Sequence, residues 1–458
     1  MANSHSNGPI VALSTPPGVS ALAVARLTGE GCIEIVNRAF HGADLEQAES
    51  RKALFGLLKD GDQTIDEVVV TVFRAPASFT REDMAEVSCH GSPYIAGEIV
   101  KLMVRLGARL AAAGEFTRRA FLNGRFDLAQ AEAVADLIHS RTAHEHRAAV
   151  HQMRGGFSAA LSALRAQALD LTSLLELELD FSEEDVEFAD RTRLNEIVKS
   201  LLEQTNPLIE SFSVGNAIKN GVATVIAGRP NAGKSTLLNA LLNEERAIVS
   251  DIAGTTRDVI EDQMVIDGVA FRFIDTAGLR DTQDAIEAVG VERAREQMDK
   301  AAVIIYLFDL SASSIEEITS EIDGLKKHEV PLLLTGNKKD QAPPALLRGL
   351  EDMEEDFVLI SASAKDNLDG LKKELLRVCH LNDIDPSGTI VTNVRHYEQL
   401  VRARESLEAV QQGLVAGLTA DLLAEDLRQA LHHLGEITGE VTNEEVLGNI
   451  FGRFCIGK

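Results

Sequence analysis

Cysteine is scarce in this sequence, with 4 cysteines among 458 residues. Cys32, Cys89, Cys379 and Cys455 lie far apart and form no C-x-x-C pair. This spacing argues against a disulfide framework and against a cysteine zinc site, and it fits a reducing cytosol.

Basic residues are too few to balance the acidic ones. The chain has 45 Lys and Arg against 71 Asp and Glu, a formal charge of −26. Such a balance argues against indiscriminate binding to nucleic acid or to anionic membranes. A polyanionic partner therefore has to meet a local basic patch.

The sequence also lacks a secretory signal and a long apolar run. Its start, Met1 to His5, has no basic-then-apolar pattern, and the longest apolar run, near Ala301 to Phe308, is too short to span a bilayer. We expect a cytoplasmic protein without a membrane partner. Its length predicts about three domains.

A phosphate-binding motif stands near the middle of the chain. Residues Gly228 to Thr236 read G-x-x-x-x-G-K-[ST], between an apolar run that ends at Ala227 and a second one that starts at Leu237. The glycines let backbone N–H groups turn toward phosphate oxygens, Lys234 adds a full charge, and Ser235 is a Mg²⁺ ligand. The motif predicts a nucleoside triphosphate site.

Four further segments follow in the order typical of GTPases. Asp251–Asp258 supplies Thr256 as a second Mg²⁺ ligand, and Asp275–Gly278 supplies a carboxylate and a glycine N–H for the γ-phosphate side. In Asn337–Asp340, the Asp340 carboxylate accepts two hydrogen bonds from guanine, which adenine cannot donate. Ser361–Lys365 supplies backbone contacts to the base. Together the segments predict GTP.

The residue that positions water is missing from its usual place. Leu279 follows Gly278, where Ras-like enzymes carry a glutamine. Arg280 and Glu287 lie in the same switch segment and are candidates to replace this glutamine. Without further information, the sequence favours a role on a helix surface for each of them.

Hydrophobic patterns divide the rest of the chain. Short alternating runs up to residue 121 predict an N-terminal α+β domain, while apolar residues at helical spacing predict a discontinuous helical domain over 122–216 and 383–458. Between these halves, 217–382 alternates strands and helices and predicts an inserted Ras-like GTPase domain with a mostly parallel sheet. The Asp267-Gly268 turn predicts one antiparallel hairpin at an edge. The expected fold class is thus multidomain α/β.

The chain resembles the MnmE (TrmE) family of tRNA modification GTPases over nearly its whole length. The resemblance is carried by Thr15-Pro16-Pro17-Gly18, by the stretch Gly114 to Gly124, by Asp127 to Ala133, and by the C-x-G-K ending at Cys455 to Lys458. The ending is the most specific of these motifs.

The family resemblance implies a one-carbon folate, a 5-formyl-tetrahydrofolate or a relative of it, in the N-terminal domain. Arg26, Glu86, Arg125 and Lys458 are its implied contacts. Arg125 stands where lysine is usual in the family, which keeps the charge but changes the hydrogen-bond geometry. The resemblance also implies a homodimer held through the N-terminal domains.

In the GTPase domain the resemblance implies that Glu287 orients the attacking water. It further implies a K⁺ ion between the phosphates, where other GTPases place an arginine finger. Lys234 and Glu287 are then the catalytic residues, with Cys455 as an additional candidate. The implied K⁺ ligands are Asn231, Ser250, Ile252 and Thr255.

The motifs and the resemblance together predict a full set of GTP contacts. They are Asn231, Ala232, Gly233, Lys234, Ser235, Thr236, Ser250, Asp251, Ile252, Ala253, Gly254, Thr255, Thr256, Asp275, Thr276, Ala277, Gly278, Asn337, Lys338, Asp340, Ser361, Ala362 and Ser363.

The implied function is a K⁺-dependent GTP-hydrolysing switch in tRNA modification. A flavoprotein partner of the MnmG (GidA) kind, which brings FAD and NADH, shares the reaction. The pair adds a carboxymethylaminomethyl or aminomethyl group to carbon 5 of the wobble uridine.

An Era- or Der-like ribosome assembly factor is the alternative function, but no G-x-x-G clamp with KH-type flanks is found. A dynamin-like membrane remodeller is disfavoured by the charge and by the lack of a basic amphipathic helix.

Overall fold

The computed structural model describes residues 8–180, 191–245, 262–274, 298–381 and 389–457. The chain divides into two compact units. The first comprises Met1–Ala135, Gln152–Asp170 and Leu427–Lys458, and the second comprises Asp136–His151 and Leu171–Asp426. Within the described ranges, no helix is long and apolar enough to cross a membrane.

The first unit is built on a seven-stranded sheet in the order β3-β4-β5-β6-β2-β1-β7. Neighbouring strands are antiparallel except for the parallel pair β1–β7. The strands are β1 Ile10–Leu13, β2 Leu22–Thr28, β3 Phe40–His41, β4 Ala53–Asp60, β5 Gln63–Phe73, β6 Met84–His90 and β7 Arg109–Leu110.

One face of this sheet is covered by amphipathic helices. Helix α1 (Cys32–Ala39) buries Ile33 and Val36, and α2 (Pro93–Arg105) buries Ile99 and Met103, so that both helices share one apolar core with the sheet. Helix α3 (Glu115–Leu122) follows β7 and buries Phe116.

The second unit contains a six-stranded sheet in the order β13-β12-β11-β8-β10-β9. All pairs are parallel except the hairpin β9–β10. Central strands of a sheet covered on both faces have to be apolar throughout, and the first six residues of β11 are indeed buried. The strands are β8 Val222–Ala227, β9 Asp262–Ile266, β10 Val269–Phe273, β11 Val303–Asp309, β12 Leu332–Asn337 and β13 Phe357–Leu359.

Helices form most of the remaining described chain. They are α4 Leu128–His139, α5 Ala143–Met153, α6 Gly156–Asp180, α7 Arg191–Asn220, α8 Lys234–Glu245, α9 Ile315–Leu325, α10 Pro344–Glu351, α11 Leu368–Val378, α12 Val394–Ala416, α13 Ala420–Thr438 and α14 Glu444–Phe451. Helix α9 begins with a capping box in which the Ser314 and Glu317 side chains satisfy each other's backbone N–H groups.

The predicted fold class is confirmed. An α+β segment, long helices and a mostly parallel sheet occur where the patterns indicate them, and the Asp267-Gly268 turn closes an antiparallel edge hairpin. Strand β4 has no clear alternating pattern in the sequence. The domain boundaries at 121, 216 and 382 stay predictions.

Candidate functional site

The phosphate-loop motif connects β8 directly to α8. Residues 228–233 form the loop, and Lys234 is the first residue of the helix, so the loop leads directly into the helix N-terminus, where anions bind. Gly228 (φ 149°) and Gly233 (φ 96°) have to be glycine, since a Cβ would overlap the Leu307 carbonyl oxygen at the first position and the Asn337 amide at the second. The backbone thus makes the turn that a phosphate cradle requires.

Lys234 folds back over its own loop. Its Nζ donates to the carbonyl oxygens of Gly228 and Arg229 at 2.6 and 2.9 Å. Burial lowers the pKa of Lys234. The ammonium group is therefore partly desolvated at the phosphate loop, where attraction for an anion is stronger than in water.

The Asn337 side chain joins two loops at the same edge of the sheet. This residue ends β12 and is 3% exposed. Its Nδ2 donates to the Ala232 carbonyl at 2.8 Å, and its Oδ1 accepts from the Ala362 N–H at 3.0 Å. One amide thus connects the phosphate loop with the segment predicted to contact the base.

Asp340 lies in a single 3₁₀ turn (Lys339–Gln341) that follows β12. A hydrogen bond from the Ser361 side chain, followed by one from Gln341, holds the pKa of the Asp340 carboxyl below its usual value. The Lys339 N–H donates to Ile360 O at 3.0 Å, which keeps the turn beside Ser361. The exposed carboxylate is ionised at neutral pH and acts as a hydrogen-bond acceptor.

Lys338 supports the same turn from the other side. Its backbone is left-handed (φ 61°), and its ammonium group pairs with Asp309 at 2.6 Å. Asp309 ends β11, so the ion pair joins two neighbouring strand ends. The segments 228–236, 337–340 and 361–363 therefore converge at the carboxyl edge of the parallel sheet, where open α/β sheets bind their ligands.

The remaining nucleotide predictions fall outside the described residues. These are Ser250 to Thr256, Asp275 to Gly278, Leu279, Arg280 and Glu287. For Mg²⁺, the described part supplies Ser235, the second residue of α8, while Thr256 lies outside. For K⁺, it supplies Asn231, which has a left-handed backbone (φ 65°), while Ser250, Ile252 and Thr255 lie outside.

The N-terminal predictions meet at a cavity of about 450 Å³, which is large enough for a small organic ligand. Glu86 on β6 and Arg125 after α3 both line it. Arg26 on β2 pairs with Glu86 at 2.8 Å, and its guanidinium lies 5.5 Å from the centre of the Phe79 ring. The Arg125 guanidinium lies 5.0 Å from the same ring centre, so the Phe79 ring makes cation–π contacts with both arginines.

The C-terminal signature is attached to this unit. Ile456 forms an antiparallel bridge with Ala113, and the Ser14 hydroxyl donates to Gly457 O at 3.2 Å. Gly457 has φ 94°, and a Cβ would overlap the Leu13 carbonyl, which explains why this position of the ending is glycine. Lys458 lies outside the described residues.

Cys455 differs from the other cysteines in its exposure. Burial raises the pKa of Cys32 to about 12 and that of Cys89 to about 11, so both thiols stay protonated and inert. Cys455 is exposed. Within the described ranges no His, Lys or Arg is found paired with its thiol, so its chemical role stays a prediction.

Sequence reasoning missed two charged residues of the cavity. Arg51, between β3 and β4, and Arg81, between β5 and β6, both line it. No periodic pattern or motif marks them, and only the strand order brings their two turns together. The link that Asn337 makes to Ala232 was missed for the same reason.

A phosphate loop and an Asn-Lys-x-Asp turn on adjoining parallel strand ends define a P-loop GTPase module, attached here to an α+β domain and long helices. Two family models match the chain: the GTP-binding protein TrmE N-terminus over residues 9–125 and the MnmE helical domain over residues 128–455. The chain belongs to the MnmE (TrmE) family and is a GTPase.

Curated relatives are similar over almost their full length. The tRNA modification GTPase MnmE of Cytophaga hutchinsonii is 51% identical over 98% of this chain and 97% of the relative. The MnmE proteins of Flavobacterium johnsoniae and Bacteroides thetaiotaomicron are 50% and 46% identical, each over 98% of this chain and 99% of the relative.

Proposed function

We propose that this protein is the K⁺-dependent GTP-hydrolysing subunit of a complex that modifies the wobble uridine of certain tRNAs. With a flavin-dependent partner of the MnmG kind, which supplies FAD and NADH chemistry, it adds a carboxymethylaminomethyl or aminomethyl group to carbon 5. The observation that carries this proposal is the 51% identity to a named tRNA modification GTPase over 98% of the chain.

The described residues support the nucleotide half of the proposal. The phosphate-loop N–H groups and Lys234 bind the phosphates, Ser235 with Thr256 holds Mg²⁺, and Asp340 selects guanine. When GTP binds, Lys234 exchanges its two loop carbonyls for phosphate oxygens, which are stronger acceptors because they are charged. Glu287 would orient the attacking water, and Asn231 would be one ligand of K⁺, an ion that would supply positive charge to offset the negative charge of the transition state.

The described residues also support a folate in the N-terminal cavity. A formyl-tetrahydrofolate supplies a one-carbon unit when it is bound. Glu86 offers a carboxylate to the N–H groups of the pterin ring, and Arg26, paired with that carboxylate at 2.8 Å, orients it. Lys458 completes this site. We further propose a cytoplasmic homodimer.

The proposal predicts the composition of tRNA. In a strain from which the gene is deleted, we expect the carbon-5 side chain to disappear from wobble uridines, and a plasmid copy should restore it. Mass spectrometry of tRNA nucleosides measures the change. An intact modification in a strain without a second copy of the gene would contradict the proposal.

The second prediction concerns the cation. GTP hydrolysis should fall by about tenfold or more when Na⁺ replaces K⁺ at constant ionic strength, since an arginine finger at the same place is worth roughly 10³ to 10⁵ in rate. Asn231→Ala should abolish the difference between the two salts. Asn239→Ala, at an exposed position of α8, is the matched control and should keep it. Equal wild-type rates in both salts would rule out the K⁺ site.

A further inference from the structure

The N-terminal cavity carries more positive charge than its own carboxylate balances. Arg51, Arg81 and Arg125 line it together with one acidic residue, Glu86, and Glu86 already pairs with Arg26. Among residues 8–180, 191–245, 262–274, 298–381 and 389–457, none of the three lining arginines has an ion-pair partner. In a chain with a net charge of −26, three such guanidinium groups in one cavity indicate an anionic ligand.

The three arginines are held in place by backbone contacts. Arg125 donates to Ser78 O at 2.5 Å, and Arg81 donates to Asn123 O at 3.1 Å. The Arg51 N–H donates to Val72 O at 2.6 Å, which fixes its turn beside β5. Because carbonyl groups leave most guanidinium N–H donors unused, each arginine retains capacity for a further acceptor.

Among the residues that line the cavity, Arg51 and Arg81 have an unusual backbone conformation. Both are left-handed, with φ 68° and φ 60°. That region is uncommon for residues other than glycine, asparagine and aspartate, and residues held in it cluster at ligand-binding sites. Two strained arginines on separate turns that reach the same cavity are a second observation in favour of a ligand.

Polarity changes from the wall of the cavity to its opening. Met84 is buried and Glu86 is partly buried, whereas Arg51, Arg81 and Arg125 are exposed and so form a cationic rim. Burial and then the charge of Arg81 lower the pKa of Arg125, so the two guanidinium groups are close enough to repel each other. An anion between them would remove that repulsion.

We propose that Arg51 and Arg81 bind the oligo-γ-glutamyl tail of the folate and thereby select the polyglutamylated form of this ligand. The inference rests on the proposed folate function. A planar guanidinium pairs with a carboxylate through two parallel hydrogen bonds, and each added glutamyl residue brings one carboxylate. With the pterin at Glu86, the tail leaves the cavity across the rim.

Phosphates of tRNA are the competing ligand for the same arginines. A nucleic-acid backbone follows open basic grooves, whereas these arginines line a cavity of about 450 Å³ that also contains the Glu86 carboxylate as a hydrogen-bond acceptor. A small molecule with a neutral, hydrogen-bonding head and an anionic tail fits this combination better.

The test compares 5-formyl-tetrahydrofolate carrying one or three glutamyl residues, titrated calorimetrically into the full-length protein at low and high salt. The wild-type protein should bind the triglutamate about tenfold or more tightly than the monoglutamate. Arg51→Gln and Arg81→Gln should each reduce that preference about threefold, and the double variant should remove it without weakening monoglutamate binding comparably. Arg38→Gln, an exposed arginine of α1 away from the cavity, should change neither affinity.

The outcomes separate the inference from the proposed function. If the wild-type protein binds neither folate, the folate site itself is wrong. If it binds both folates equally, the folate site stands and the tail-binding role of Arg51 and Arg81 is overturned. If the variants keep the glutamyl preference but lose affinity for tRNA in filter binding, the rim serves RNA phosphates instead.

Discussion

Replacing Asp340 by asparagine is expected to exchange the base preference from guanine to xanthine. Guanine presents two N–H donors to the Asp340 carboxylate, whereas an asparagine amide turns one acceptor into a donor and leaves two N–H groups facing each other. An unmatched polar group in a binding site costs a few kcal/mol, so GTP affinity should fall about a hundredfold or more. Xanthosine triphosphate has a carbonyl oxygen at carbon 2, where guanine has its amino group. This oxygen can accept a hydrogen bond from the asparagine amide, so the affinity for this nucleotide should rise.

Competition titrations with fluorescent nucleotides would measure both affinities of Asp340→Asn. Gln341→Ala is the matched control, because Gln341 lies in the same 3₁₀ turn and only donates to Asp340, at 3.2 Å. It should change GTP affinity less than about threefold, as expected for one exposed hydrogen bond. If Asp340→Asn bound GTP like the wild-type protein, Asp340 would not be the base acceptor.

Much of the fold could be predicted because local patterns determine it. The buried parallel strands read as continuous apolar runs, and the run that ends at Ala227, before the phosphate-binding motif, is strand β8. The hairpin β9–β10 follows from Asp267-Gly268, whose left-handed backbone (φ 46° and 82°) is what a two-residue turn requires.

Strand β4 could not be predicted from its own residues. Its burial alternates irregularly, Phe55 is exposed, and Gly56 weakens any strand pattern. In the structure the Phe40 ring lies where a Cβ of residue 56 would be, so only glycine fits there. The sequence does not indicate that Phe40 packs against this position.

The candidate sites likewise contain residues that local motifs predict and residues that they do not. Motifs of fixed spacing predicted the phosphate loop and the 337–340 turn, since each is a local backbone shape with its functional side chains attached. Arg51 and Arg81 belong to two turns separated by strands β4 and β5, and only the sheet order brings them to one cavity. Side chains that act across such distances along the chain carry no local signal.

Replacing Asn337 by alanine is expected to destabilise the nucleotide module and to abolish tight GTP binding. The substitution leaves the Ala232 carbonyl and the Ala362 N–H without their partner, and both of these residues are buried. Each buried group left unsatisfied costs about 1–3 kcal/mol, so the loss in free energy of unfolding should reach about 2–6 kcal/mol.

Hydrogen exchange followed by mass spectrometry gives a local measurement of this effect. In Asn337→Ala, the peptide that contains Ala362 should exchange much faster, because its N–H has lost its acceptor, while peptides from the N-terminal sheet should not change. Asn337→Asp keeps an acceptor for Ala362 but turns a carboxylate oxygen toward the Ala232 carbonyl, so it should retain protection at Ala362 and still lose GTP affinity. Asn239→Ala should stay within about 0.5 kcal/mol of the wild-type protein. Unchanged exchange at Ala362 in the alanine variant would show that Asn337 does not hold the two loops together.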